Sequence, residues 1–198
     1  MKKELRNTLR RIMADLGAAE IHTRSNRAAQ LFLELPEYRS AEIMMTYLSL
    51  PLEADTTSIV LRAWRDGKRV LAPLVSWESR QMIPIEINSL DEDVALGPQG
   101  IRQPIQGEPI PIELIDLVIV PGLGFDVIGN RLGRGRGFYD RFLAQRAFRG
   151  VPCGLALESQ VVSTIPAGPM DVPMALLVTD EQVRRFREGG AGTPAAGR

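Results

Sequence analysis

Hydrophobic residues first recur along this chain at helical spacing. Leu5, Leu9, Ile12, Met13 and Leu16 fall on one face and Gly17 follows as a stop signal, so a helix is expected over the first segment. A second helix is expected over about 25–35, ending before Pro36, whose ring pushes the preceding residue out of helical backbone. The apolar density then changes to that of buried strands: EIMMTYL (42–48), RVLAP (69–73), QMIPIEI (81–87), DLVIVP (116–121), CGLAL (153–157) and MALLVTD (174–180). A further helix over 56–66, stopped by Gly67, separates the first two, and FYDRFLAQRAF (138–148) reads as another. Short apolar strands separated by helices need crossover connections. The expected fold is α/β: a largely parallel sheet covered by helices on both faces, a Rossmann-like three-layer sandwich with ligands beyond the carboxyl ends of the strands. Residues 1–187 are expected to form a single domain. Residues 188–198, ending in GGAGTPAAGR, have nothing to bury and are expected to be a disordered tail.

Composition narrows the partners. Lysine plus arginine and aspartate plus glutamate stand at 24 each, so the overall charge argues neither for a nucleic-acid coat nor for an anionic membrane surface. Cys153, the only cysteine, is flanked by apolar residues and reads as core filler; with no disulfide partner and no signal-like start, a reducing, cytoplasmic setting is expected. No apolar run approaches the ~20 residues needed to cross a bilayer as a helix. The expected state is a monomer or weak oligomer.

Against this neutral background, basic character is local. The stretch GNRLGRGRGFYDRF (129–142) holds four glycines and four arginines in fourteen residues. Gly133, Gly135 and Gly137 alternate with Arg134 and Arg136, which lets backbone approach a ligand while guanidiniums converge on it. The helix expected immediately afterwards adds unpaired N–H groups, so an anion, phosphate above all, is the expected ligand. The loop is neither a Walker A sequence nor the dinucleotide fingerprint, and a solvated surface turn is the alternative. Asp140 falls in the first helical turn, where it could complement the dipole, hold a magnesium ion, or both. Lys2, Arg6 and Arg10, four apart, form a second basic group on one side of the first helix, or else a solvated face.

These motifs resemble the 5-formyltetrahydrofolate cyclo-ligase (methenyltetrahydrofolate synthetase) family. Its signature is a buried strand ending in Pro-Gly, a Phe-Asp pair, then Gly-x-Arg-Leu-Gly-x-Gly-x-Gly-aromatic-Tyr-Asp, and here it stands as VPGLGFDVIGNRLGRGRGFYD. KKELR, LEADT, GKRVLAP, GIRQP and LLVTDEQV extend the resemblance over nearly everything before the tail. It implies ATP- and magnesium-dependent closure of 5-formyltetrahydrofolate to 5,10-methenyltetrahydrofolate. By motif position, Lys2 and Arg6 correspond to the family's amino-terminal phosphate contacts. Arg131, Gly133, Arg134, Gly135, Arg136 and Gly137 correspond to its nucleotide loop, with Arg134 also catalytic. Asp140 corresponds to its metal carboxylate and Glu53 to its folate-contacting, catalytic glutamate, whose alternative role is a helix-start acid near Thr56. Phe138 and Tyr139 are expected to wall the nucleotide and folate pockets.

Three positions depart from the pattern. Gln103 stands where an acid is expected, Met170 precedes Asp171 where many members carry His-Asp, and Phe138 lacks a hydroxyl often present there. The only histidine, His22, lies far off on an expected helix, so histidine catalysis is not expected. A non-catalytic folate- or nucleotide-binding relative would keep the loop and lose turnover. A sugar-phosphate isomerase-like or ligand-sensing domain on a similar scaffold would need no ATP.

Overall fold

The computed structural model describes residues 1–186. The tail expected over 188–198 lies outside the described residues. In chain order the elements are α1 (Lys2–Leu33), α2 (Pro36–Ser40), β1 (Ile43–Met45), α3 (Thr57–Arg65), β2 (Arg69–Ser76), β3 (Gln81–Ile87), β4 (Val94–Leu96), β5 (Arg102–Pro104), β6 (Leu117–Val120), β7 (Gly124–Asp126), β8 (Arg131–Leu132), α4 (Phe138–Leu143), β9 (Val151–Leu155), β10 (Val161–Val162), β11 (Leu176–Val178) and β12 (Val183–Arg185).

Seven strands form the main sheet in the order β12-β11-β9-β6-β1-β2-β3. The five central strands run parallel, and β3 and β12 close the edges antiparallel. Side chains alternate across it: Leu117 and Ile119 enter one core with α1 and α3, while Val118 and Val120 enter the other. That second face is covered by α4 and by β7 of a small three-stranded sheet, β10-β7-β8, rather than by long helices. A separate two-stranded β4-β5 hairpin packs against β2 and β3 through β5. The order in which successive strands are added reverses between the parallel neighbours β1 and β6: β1 continues through α3 to β2 on one side, and β6 continues through α4 to β9 on the other. Such a switch point opens a crevice at the carboxyl ends of the strands. No helix of the described residues is long and apolar enough to cross a membrane.

Two helical expectations change. The first two helices run together as α1, broken only at Gly17, where φ 75° and ψ 162° leave helical geometry for one residue. Helix resumes at once instead of near Ser25, because Ile21, Ala28, Ala29 and Phe32 continue an apolar face that the main sheet buries. Before the glycine, Leu5, Leu9 and Ile12 pack with Leu132, Ile165 and Val162 of the small sheet and its neighbours. The kink thus lets one helical run serve two sheets. The helix expected over 138–148 stops at Leu143, since the chain turns back and sets Phe148 against Phe142, ring centroids 5.9 Å apart.

No atom lies within 4 Å of where a Cβ on Gly17 would sit, so replacing it meets backbone strain alone. Gly17→Ala should destabilise the protein by about 1–3 kcal/mol. A thermal melt unchanged from wild type would show that the helix can straighten at no cost.

Candidate active site

A cavity of about 540 Å³ opens at the switch point, beyond the ends of β1 and β6, and every candidate site residue named from the sequence lines it. Lys2 and Arg6 come from the start of α1, Glu53 from the turn after β1, and Arg131 from β8. Gly133 to Gly137 form the connection to α4, whose first turn brings Phe138, Tyr139 and Asp140. Arg10 is directed elsewhere, to Asn7 on the exposed side of α1.

The cations are held by carboxylates from distant segments. Arg134 donates from Nη2 and Nε to Glu53 Oε1, at 2.8 and 3.1 Å. Leu50 N–H donates to Oε2 of the same residue at 3.0 Å, which fixes the carboxylate from its other side. Arg131 Nη2 donates to Asp140 Oδ1 at 2.9 Å, and Lys2 Nζ to Asp171 Oδ2 at 2.7 Å. Burial works to raise the Asp171 carboxyl, but Lys2 and the Gly168 N–H outweigh it and hold the group below its ordinary value. Arg6 Nε donates to the Gly133 carbonyl at 2.9 Å, tying α1 to the glycine loop.

Local backbone explains the glycines. Gly135 and Gly137 have φ of 96° and 66°, and a Cβ on Gly133 would come within 2.6 Å of Arg131 Nη1. The six-residue α4 is shorter than two turns, so attraction for an anion here rests on side chains and not on a long helix dipole. Glu53 is not the acid at the start of α3. Asp55 takes that place, accepting the Thr57 N–H at 2.9 Å, and Glu53 turns into the cavity with 9% exposure.

The aromatic wall is built from both expected and unexpected residues. Phe138 meets Trp77 edge to face, ring centroids 5.3 Å apart, and the Arg136 guanidinium lies 6.0 Å from the Trp77 ring. The Tyr139 hydroxyl is buried without a hydrogen-bond partner, and burial together with the Glu53 charge pushes its ionisation well above the ordinary phenol value. It is therefore a neutral donor. Trp77, Arg102 and Asp171 also line the cavity and were not named from the sequence as site residues. Asp171 had a signal, its place in the family's His-Asp position; Trp77, in the turn between β2 and β3, had none.

The sequence and the fold have counterparts among known proteins. The 5-formyltetrahydrofolate cyclo-ligase family model matches residues 1–180. The chain belongs to that family. A 5-formyltetrahydrofolate cyclo-ligase of Haemophilus influenzae is 30% identical over 177 residues, 87% of this chain and 94% of the relative. The Mus musculus cyclo-ligase is 30% identical over 182 residues, 86% of this chain and 89% of its own. The solution structure of Aquifex aeolicus 5,10-methenyltetrahydrofolate synthetase superimposes with a TM-score of 0.82 at 29% identity, over 98% of this chain and 97% of that one.

Of the three sequence departures from the cyclo-ligase pattern, Phe138 lines the cavity and Gln103 and Met170 do not. Gln103 lies opposite Ala95 in the β4-β5 hairpin, its side chain against Gly97, and Met170 is 73% exposed. Within the cavity, Arg131 is the most enclosed cation, its side chain 6% exposed with Asp140 as its ion-pair partner. Asp140→Asn keeps an acceptor but removes the counter-charge, so stability should fall by about 1–3 kcal/mol. A melt matching wild type would mean that Asp140 is not needed to hold Arg131.

Proposed function

We propose that this cavity performs the ATP- and magnesium-dependent cyclisation of 5-formyltetrahydrofolate to 5,10-methenyltetrahydrofolate, releasing ADP and phosphate. The observation that carries this reading is the meeting of Glu53 and Arg134, residues 81 positions apart, inside a cavity lined by both basic and aromatic groups. A formamide oxygen is a poor leaving group. Transfer of the γ-phosphoryl group to that oxygen makes it one, at the cost of gathering several negative charges in one place. Lys2, Arg6, Arg131, Arg134 and Arg136 supply the opposing charge, with the backbone of Gly133, Gly135 and Gly137 able to approach the phosphates.

The second step joins nitrogen to carbon. The neighbouring aniline nitrogen attacks the activated formyl carbon, the carbon–oxygen bond breaks with its electron pair leaving on phosphate, and the nitrogen loses its proton. Glu53 orients that nitrogen and receives the proton. Phe138 and Tyr139 pack on the planar parts of the substrates, and the unpartnered Tyr139 hydroxyl offers them a hydrogen bond.

Magnesium fits the donor set in one way. Among the described residues there is no cluster of three or more metal-binding side chains, so most ligands would come from phosphate and water. Asp140 would hold it through the carboxylate oxygen left free, since Oδ1 accepts from Arg131 and from the Val172 N–H. A bound magnesium ion would neutralise phosphate charge there. The same reading takes residues 1–187 as one cytoplasmic domain acting as a monomer or weak oligomer.

Formation of the methenyl product, followed by its absorbance with ATP and magnesium each supplied or omitted, tests the assignment. Turnover without ATP would favour an isomerase-like activity, and binding without turnover a non-catalytic relative. Glu53→Gln should lower turnover by about 100- to 10,000-fold. The change also reaches the nucleotide loop, because Arg134 is bonded to Glu53. Releasing that guanidinium should tighten binding of a non-hydrolysable ATP analogue by a factor of about 2–5, read by calorimetry. Weaker binding would mean that the ion pair pre-orders the loop.

A replacement at the loop itself probes the other partner. Arg134→Ala should weaken the analogue by about 1.5–3 kcal/mol, as expected for a charge-assisted phosphate contact. Unchanged affinity would remove Arg134 from the nucleotide site.

A further inference from the structure

The Phe-Asp pair of the family signature has no place in the cavity: neither Phe125 nor Asp126 lines it. Phe125 is core. Asp126, at the end of β7, is a carboxylate with 0% exposure that forms no ion pair among the described residues. A buried carboxylate is costly unless donors surround it.

Four donors do. Oδ1 accepts the N–H groups of Ile128 at 3.1 Å and Asn130 at 2.8 Å. Oδ2 accepts Asn130 Nδ2 and the Ile165 N–H, both at 2.9 Å. An acceptor-only carboxylate can take all four, whereas an amide would turn its own N–H groups toward two of them. The backbone closes the same turn: Asp126 N–H donates to the Asn130 carbonyl at 3.0 Å. Asn130 is therefore fixed by three bonds to one residue, and Arg131 is the next residue in the chain.

The turn also fixes a second segment. Ile165 is bound by Asp126, and the Met174 N–H donates to the Gly129 carbonyl at 2.9 Å, so the stretch from 165 to 174 is attached to the turn at both ends. Between those attachments lie Asp171, which holds Lys2, and Val172, whose N–H donates to Asp140 Oδ1 at 3.3 Å. One buried carboxylate thus references both partners of the Arg131–Asp140 pair and the acid of the Lys2–Asp171 pair.

We infer that Asp126 is a positioning residue of the nucleotide site, acting through Arg131 on one side and through Asp171 and Val172 on the other. This rests on the proposed nucleotide-dependent reaction, while its structural half stands without it. The test uses Asp126→Asn and the milder Asn130→Ala, which removes a single bond and keeps the carboxylate, so folding of at least one variant is secured. Three readouts are taken on the full chain: amide hydrogen exchange, Michaelis constants, and affinity for a non-hydrolysable ATP analogue.

Exchange in Asn130→Ala should rise together in 131–137 and 165–174 and stay at wild-type rates in α3 and β6; a rise confined to 126–130 overturns the inference. The KM for ATP should rise roughly 3- to 10-fold with a smaller change in kcat and in the KM for folate, the split expected when binding geometry and not chemistry is disturbed. In an Arg131→Ala background the same change should have less effect on analogue affinity than in wild type, as for two residues acting through one contact. Full multiplication of the two effects, or a lowered melting temperature with an unchanged KM for ATP, makes Asp126 a purely structural residue. Wild-type protein without ATP-dependent turnover would instead sink the proposed reaction and leave the exchange result to judge the positioning role.

Discussion

Six cations, Lys2, Arg6, Arg102, Arg131, Arg134 and Arg136, converge on one cavity, and mutual repulsion is the constraint around which the rest is arranged. Like charges at such range oppose folding, and the effect is strongest where water is partly excluded. Three carboxylates answer it: Glu53, Asp140 and Asp171 each pair with one cation, and each comes from a different part of the chain. The remaining surplus is positive. The folded protein can therefore hold the site together without ligand and still present net attraction to a polyanion.

Pairs of this kind are exchangeable to different degrees. Arg131, nearly enclosed and in contact with the Pro121 carbonyl as well as Asp140, is built into the wall. Arg134 is 44% exposed and sits at the tip of the glycine loop, so water already competes for it and a phosphate oxygen can replace Glu53 as its partner. In the proposed reaction, that replacement would free the carboxylate oxygen that serves the attacking nitrogen.

The scaffold delivers these groups through its topology. The switch between β1 and β6 opens the crevice, and the break at Gly17 lets α1 cover the main sheet with its second half while its first half carries Lys2 and Arg6 to the glycine loop. In the small β10-β7-β8 sheet, on which that first half rests, the Asp126 carboxylate closes the turn from β7 to β8. A single long helix without the break could follow only one of the two surfaces.

What the sequence determined by itself was local. Periodicity along the chain reports which side of an element avoids water, and so it located the parallel strands, α3 and the crevice end of the sheet; motif order identified the family and every residue named for the site. It misjudged where α1 resumes and where α4 ends, because helix limits depend on what the neighbouring surfaces bury. It left β4, β5, β7, β8, β10 and β12 unseen, since two or three residues carry no readable period. Only the tertiary structure decided which charge meets which. Arg134 finds Glu53 across 81 residues and Lys2 finds Asp171 across 169, and an ion pair depends on distance in space, which spacing along the chain does not encode.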